Sequence, residues 1–316
     1  MKSSCQPCIS SIPVADGVTL VKVELDPQVE GFQGFITPWV LIQGHPRKGP
    51  VFVVDPGPAV TIPQLLQALA QMGVERVHYV LLTHVHIDHA GGTAILLRQY
   101  PEARVVAHHQ GHQHLVDPTR LWEGSVKTLG SLAISYGQID PIPPHSLARA
   151  EELPAPLTVV PTPGHAPHHQ SYIFRHGASA VMFAGEAAGI FIDDGCAYLR
   201  PATPPRFFLE VTLSSLEQLM KLGASLICYG HCGFSRHPEH LMAMHRQQLL
   251  LWREVIQEQL DLNTQASAPE IQTLLLRRDP LLAGYFALDP ALKKREDYFF
   301  DNSVKGFLQY LQAKGA

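Results

Sequence analysis

Residues 83–92 read THVHIDHAGG and follow directly on an apolar run at 77–82. With that run as a strand, His84 and His86 stand on alternate positions at its end and project to one side. The turn through Ile87 then brings Asp88 and His89 round beside them. An isolated histidine is ordinarily a surface or satisfied core residue. Four ligand-type side chains in six residues, between a strand and a glycine-led helix, instead suit two adjacent metal ions. A chain built this way must end a strand at a metal centre, and the rest of the fold must deliver the remaining donors there.

The flanking pattern is mixed α/β. Alternating apolar and polar residues at 18–25 (VTLVKVEL), then β-branched and aromatic runs at 37–43 and 51–55, predict an opening β-meander. Thr61 offers an N-cap with Pro63 behind it, and Leu65, Leu66, Leu69 and Met72 keep helical spacing up to Gly73. After the histidine motif the pattern predicts a helix from Gly91-Gly92 through Arg98, a strand at 104–107 and one helix across 121–136. Eight prolines between 140 and 167 predict loop there, save for a strand at 157–160. Strands at 171–174 and 180–183, a helix at 213–222 and a strand at 225–229 form a second mixed half. Two such halves predict sheets packed together and covered by helices.

Past Pro238 the rhythm changes. Leu241, Met244, Leu251, Trp252, Val255 and Leu260 keep a 3.6-residue period, and further helices are expected at 268–278 and 303–313. The chain therefore reads as one domain over 1–236 with a helical extension over 237–316.

At 316 residues, 46% hydrophobic and 16% charged, with no run of eighteen apolar residues, the chain is expected to be globular and to make no membrane association. A formal charge of -4 without a Lys/Arg run gives no pull toward nucleic acid. The opening MKSSCQPCIS lacks a secretory pattern, so a cytoplasmic location is expected. Five cysteines argue against a disulfide framework; Cys5 and Cys8 form a lone CxxC that reads as a frayed, reduced tail. Cys228 and Cys232 read as small packing residues. Histidine is abundant, with 18 against 24 Lys plus Arg. His108, His109, His112 and His114 read as a polar loop and helix start, and His168 as exposed.

HVHIDH resembles the HxHxDH signature of the metallo-β-lactamase superfamily. That family draws its further ligands from loops after later strands, and the matching positions here are His165 in TPGHAPHH, Glu186 in FAGEAAG and His231 in CYGHCG. The resemblance implies that His84, His86 and His165 hold a first divalent ion, that Asp88, His89 and His231 hold a second, and that Glu186 bridges them. It also implies a four-layer αββα sandwich with the site at the edge where the sheets meet. One departure is visible. The family's bridging residue is usually aspartate, and glutamate adds a methylene, roughly 1.5 Å of reach. Such a glutamate could bridge, chelate one ion, or leave the second site weak.

Three further segments, HLVDPTRLW (114–122), LRPATPPRFFLE (199–210) and DNSVKGFLQYL (301–311), resemble a prokaryotic subgroup of glyoxalase-II-like metallohydrolases that carries a C-terminal helical extension. The tail and residues 200–205 would then wall the cleft, beside a plain packing role for the tail. His169, four residues after His165, is expected to hold a ligand or a strand end in place.

The chemistry implied is hydrolytic. Two divalent ions, zinc first and iron or manganese as alternatives, would turn water into a metal-bound hydroxide and polarise a carbonyl or phosphoryl oxygen, with Asp88 orienting the nucleophile. No RNA-gripping arm, flavodoxin-like domain or secretory signal is visible, which points away from nuclease, diiron reductase and β-lactamase. The expected partner is a small-molecule ester, thioester or lactone; a homodimer is compatible with this reading. Two alternatives stay open: a mononuclear iron oxygenase resembling the persulfide dioxygenases, using the first site plus Glu186, and a metal-containing binding or regulatory protein with weak hydrolysis.

Overall fold

A computed structural model of the chain describes residues 7–193 and 197–315. Its first sheet runs β1 (Cys8–Ala15), β2 (Val18–Glu24), β3 (Trp39–Gln43), β4 (Val51–Val54), β5 (Tyr79–Leu81), β6 (Arg104–Val106) and β7 (Leu147–Ala148), in that spatial order. The first four strands pair antiparallel as a meander; from β4 to β7 the pairing is parallel. The second sheet is built from β8 (Leu157–Pro161), β9 (Gln170–His176), β10 (Ser179–Gly185), β13 (Leu226–Tyr229) and β14 (Phe234–Ser235), ordered β14-β13-β10-β9-β8. A separate hairpin joins β11 (Ile190–Asp193) to β12 (Ala197–Arg200).

Side-chain alternation decides how these layers stack. Phe52 and Val54 of β4, Leu20 of β2 and Trp39 and Leu41 of β3 face Tyr172, Phe174, Val181 and Phe183 of the second sheet in one apolar cluster. The intervening Val51 and Val53, with Val21 and Val23, turn to the other face and pack under helices. A strand whose successive residues are all buried must be covered on both faces, and that requirement makes the four layers.

The outer layer on the first sheet includes α1 (Ile62–Gln71), α2 (Ile87–Ala90), α3 (Thr93–Gln99), α4 (His112–Val116), α5 (Thr119–Leu129) and α6 (Ser131–Tyr136). On the other side lie α7 (Leu209–Met220) and then α8 (Pro238–Leu262), α9 (Ala268–Arg278) and α10 (Pro290–Gly315). Trp252 of α8 is fully buried against Phe300 and Phe307 of α10. Among the described residues, no helix is long and apolar enough to cross a membrane.

Four expectations need correction. The helix expected across 121–136 is broken at Gly130, whose φ of +57° with ψ of -125° lies outside helical space, so α5 and α6 are separate. Cys8 is no frayed tail; it opens β1 and pairs with Glu24, while Cys5 lies outside the described residues. The β11–β12 hairpin is additional to the strands expected from pattern. Finally, the last helix starts at Pro290, well before 303, because Arg295, Glu296 and Phe300 pack inward despite the polar look of KKREDYF.

Candidate metal centre

The strand β5 stops at Leu81, and the chain then presents Thr83, His84 and His86 before α2 carries Asp88 and His89. The imidazoles of His84 and His86 lie 4.4 Å apart, centroid to centroid, on the same side of the chain. His165 arrives from the loop after β8, Glu186 from the turn after β10 and His231 from the loop after β13. These residues form two compact donor groups: His84, His86, His165 and Glu186 in one, Asp88, His89 and His231 in the other. The tertiary structure thus brings together every residue that the motif and its resemblance singled out.

The outer nitrogens explain why the inner ones converge. His84 Nδ1 lies 3.0 Å from Thr83 Oγ1, His89 Nδ1 3.1 Å from Asp55 Oδ2, His165 Nδ1 3.0 Å from the Ala202 carbonyl and His231 Nδ1 3.2 Å from the Phe35 carbonyl. A carbonyl or carboxylate there holds the proton on Nδ1 and turns the Nε2 lone pair inward. His84 Nε2 and His165 Nε2 then stand 2.9 and 3.0 Å from His86 Nδ1. Lone pairs directed at one another repel unless a cation sits between them. The spacing is near the edge of a tetrahedron with metal–nitrogen bonds of 2.0–2.1 Å, about 3.3 Å.

Glu186 sits between the groups. Its Oε2 is 2.9 Å from His165 Nε2, 3.3 Å from His84 Nε2 and 3.5 Å from His89 Nε2, while Oε1 is 3.8 Å from His231 Nε2. Asp88 Oδ2 stands 3.6 Å from His89 Nε2 and 3.4 Å from His231 Nε2, and at 16% side-chain exposure Asp88 is more open than Glu186 or Asp55. Three carboxylates, Asp55, Asp88 and Glu186, are thus gathered with no Lys or Arg among the described residues paired to them. The donor types and the surplus of negative charge fit divalent ions.

Burial and neighbouring imidazoles push His84 and His86 well below the ordinary histidine range, and burial takes His231 down to about 3. Neutral imidazole is the ligating form. His89 behaves oppositely: burial opposes its charge, but Asp88 and Asp55 outweigh that and raise it well above the usual value. Burial raises the Asp88 carboxyl.

His169 has a specific task. Its Nε2 accepts the Glu186 backbone N–H at 3.1 Å, so Nδ1 carries the proton and donates to Thr162 Oγ1 at 2.8 Å. Gly185 permits the approach: its φ is +56°, and a Cβ there would meet His169 Nε2 at 2.5 Å. His168, expected to be exposed, is half-buried, its Nε2 has no partner among the described residues, and burial with nearby histidines takes it down to about 4. His108, His109, His112 and His114 belong to neither donor group; His112 is held by the Ala107 carbonyl at 3.0 Å. Burial pushes the thiols of Cys228 and Cys232 up, the latter to about 11.

Asp55 is the site residue that motif reading missed. It follows directly on β4 with φ of +49° and is 3% exposed. One oxygen accepts the Thr83 N–H at 2.8 Å; the other accepts the Thr83 hydroxyl at 2.7 Å and faces His89. Its sequence signal was present: an acidic residue closing a fully buried strand and followed by Pro-Gly, in VVDPGP.

An αββα sandwich that carries this donor set at its sheet edge defines a metallohydrolase-type protein. A family model described as the metallo-beta-lactamase superfamily matches residues 33–231, and the chain belongs to that superfamily. It is 28% identical over 192 residues to the metallo-beta-lactamase fold-containing protein ST1585 of Sulfurisphaera tokodaii, covering 58% of this chain and 70% of that one. It is 30% identical over 199 residues to a hydroxyacylglutathione hydrolase of Stenotrophomonas maltophilia, covering 61% of this chain and 59% of the relative. Among solved structures, the metallo-beta-lactamase family protein TTHA1429 from Thermus thermophilus matches 98% of this chain and 94% of its own, with a TM-score of 0.58 at 21% identity, a likeness of fold.

Proposed function

We propose that the protein is a metal-dependent hydrolase acting on a small ester, thioester or lactone. The observation that carries this reading is the convergence of five histidines and two carboxylates into two adjacent groups, with four of the imidazoles fixed through their outer nitrogens. Similarity to hydroxyacylglutathione hydrolases supports the hydrolase class. His84, His86 and His165 would hold one ion and Asp88, His89 and His231 the other, with Glu186 between them; zinc suits this donor set first, and iron or manganese are the alternatives. When bound, such ions acidify water near neutral pH and polarise a carbonyl oxygen.

The chain's own residues then do three things. Asp88, the most open of the carboxylates, would orient the attacking water or its proton as well as ligate. His169 fixes the backbone of Glu186 and so the carboxylate's reach. Asp55 holds Thr83 and His89 in register, keeping the strand end and α2 in one arrangement.

A second reading has its own support: Glu186 groups with His84, His86 and His165, a set that can hold one iron ion and serve an oxygenase. A third, a metal-containing binding or regulatory protein, predicts weak turnover of every simple ester. Metal identity and stoichiometry, measured by plasma mass spectrometry on protein purified without added metal, come first. About two zinc or manganese ions per chain, with metal-dependent turnover in an ester, thioester and lactone panel, bear out the hydrolase. One iron ion with oxygen uptake on thiol or persulfide substrates would replace it with the oxygenase.

A further inference from the structure

His231 is held twice by one residue. Its Nδ1 donates to the Phe35 carbonyl at 3.2 Å, and its ring stacks on the Phe35 ring at 4.1 Å between centroids with 8° between planes. The carbonyl decides which nitrogen carries the proton, and the stack sets the tilt of the imidazole, so together they aim Nε2. Phe35 belongs to the loop between β2 and β3, and that loop is gripped from the C-terminal extension. Arg295 of α10 donates through Nη1 to the Gly31 carbonyl at 2.7 Å and lays its guanidinium over the Phe35 ring, 4.2 Å from the centroid. Gly31 approaches α10 so closely that a Cβ there would run into the Ala291 carbonyl.

Burial explains why the guanidinium stays on that ring. Arg200, Arg295 and Glu296 are each at most 3% exposed, and both arginines draw on the one carboxylate: Arg295 Nε donates to Oε1 at 2.8 Å and Arg200 Nε to Oε2 at 2.5 Å. The two cations lie over two aromatic rings, Arg295 over Phe35 and Arg200 over Phe299 at 5.3 Å, and those rings stack on each other at 5.6 Å. A desolvated cation gains more from a ring face than an exposed one does, and the attraction is directional where aliphatic packing is not.

We propose that Phe35, pinned by Arg295, is a positioning residue for the second donor group: it holds His231 at the angle at which Nε2 meets its fellow donors. That nitrogen stands 3.2 Å from His89 Nε2 and 3.4 Å from Asp88 Oδ2. The inference rests on the reading of Asp88, His89 and His231 as a metal site and on no particular reaction. Plain packing of the tail would stiffen both donor groups alike, whereas Phe35 touches a ligand of one group only.

The test is calorimetric titration of zinc into the metal-free parent and variants, with His86→Ala and His231→Ala assigning the binding steps to the first and second donor groups. Arg295→Met keeps much of the side chain's length and removes its charge. It is expected to weaken the second-group step by about ten-fold, the scale of groups that orient a ligand, and to leave the first-group step at its parental affinity. Phe35→Leu should do the same, and Phe35→Tyr, which restores the ring, should recover the second step. An unchanged second step in Arg295→Met or in Phe35→Leu would overturn the proposal, as would equal weakening of both steps. If His231→Ala keeps every binding step of the parent, His231 holds no ion and the proposal falls, while hydrolysis at the first group keeps its own assay. If Arg295→Met fails to fold, the Phe35 pair decides.

Discussion

His165 Nδ1 lies 3.0 Å from the carbonyl oxygen of Ala202, across 37 residues of sequence. That contact turns His165 Nε2 toward Glu186 Oε2, at 2.9 Å. The segment holding Ala202 is tied in turn to α10: Ser303 Oγ donates to the Pro201 carbonyl at 2.8 Å, and Thr203 Oγ1 donates to the Ser303 carbonyl at 3.3 Å. The C-terminal helix therefore reaches the first donor group through one backbone carbonyl.

Ser303→Ala removes the donor to Pro201 and should cost about 1 kcal/mol of stability. It should also weaken the tighter metal ion by several-fold, since groups that orient a ligand commonly contribute ten-fold or more. Competition with a chromogenic chelator measures this. Unchanged affinity would show that the Ala202 carbonyl holds its place without α10.

His86→Ala removes the Nδ1 on which His84 and His165 converge. Metal content and hydrolysis should fall together, hydrolysis by roughly 100-fold or more. Parental metal content with parental activity would remove His86 from the centre.

Glu186→Asp shortens the carboxylate that spans both groups. Two ions per chain should be retained. A variant that holds more metal than the parent would show that the parental glutamate bridges poorly.

His169→Ala leaves the buried Glu186 N–H without its partner and takes one of two partners from the buried Thr162 hydroxyl, which keeps Ser171 Oγ at 2.9 Å. A loss of about 1–3 kcal/mol in chemical denaturation is expected, together with weaker metal binding. A variant with parental metal affinity would confine His169 to holding the strand end.

His245 supplies a pH dependence away from the metal centre. It is 1% exposed on α8, and burial takes it down to about 4, against the hydrogen bond from its Nδ1 to Gln248 Oε1 at 2.8 Å. The unfolded chain then binds a proton that the folded chain refuses, so this contribution is complete above pH 6.5 and is lost as pH falls toward 4. The loss amounts to about 3 kcal/mol. Urea denaturation of metal-free protein at pH 7 and pH 4.5 should show a smaller difference in His245→Gln than in the parent; equal differences would discard the assignment.

Legibility followed the range of the interactions. Strands such as 51–54 and the histidine motif at 84–89 are written in short-range alternation and spacing, so they were readable. The early break at Gly130 and the early start of α10 were not. The first is a backbone state that many glycines inside helices do not adopt, and the second depends on Glu296 being paired both with its neighbour Arg295 and with Arg200 from a distant hairpin.

The donor set shows the same division. Spacing alone determined that His84, His86, Asp88 and His89 belong to one metal centre, because strand alternation and a single turn fix their directions. Likeness of motif supplied His165, Glu186 and His231 as candidates. Only the tertiary structure decided that Asp55 closes the cluster, that His168 is half-buried beside it, and that α10 orients His165 through Ala202. Those relations join segments from separate layers, and no local pattern encodes a contact whose partners meet only once both sheets and the final helix have packed.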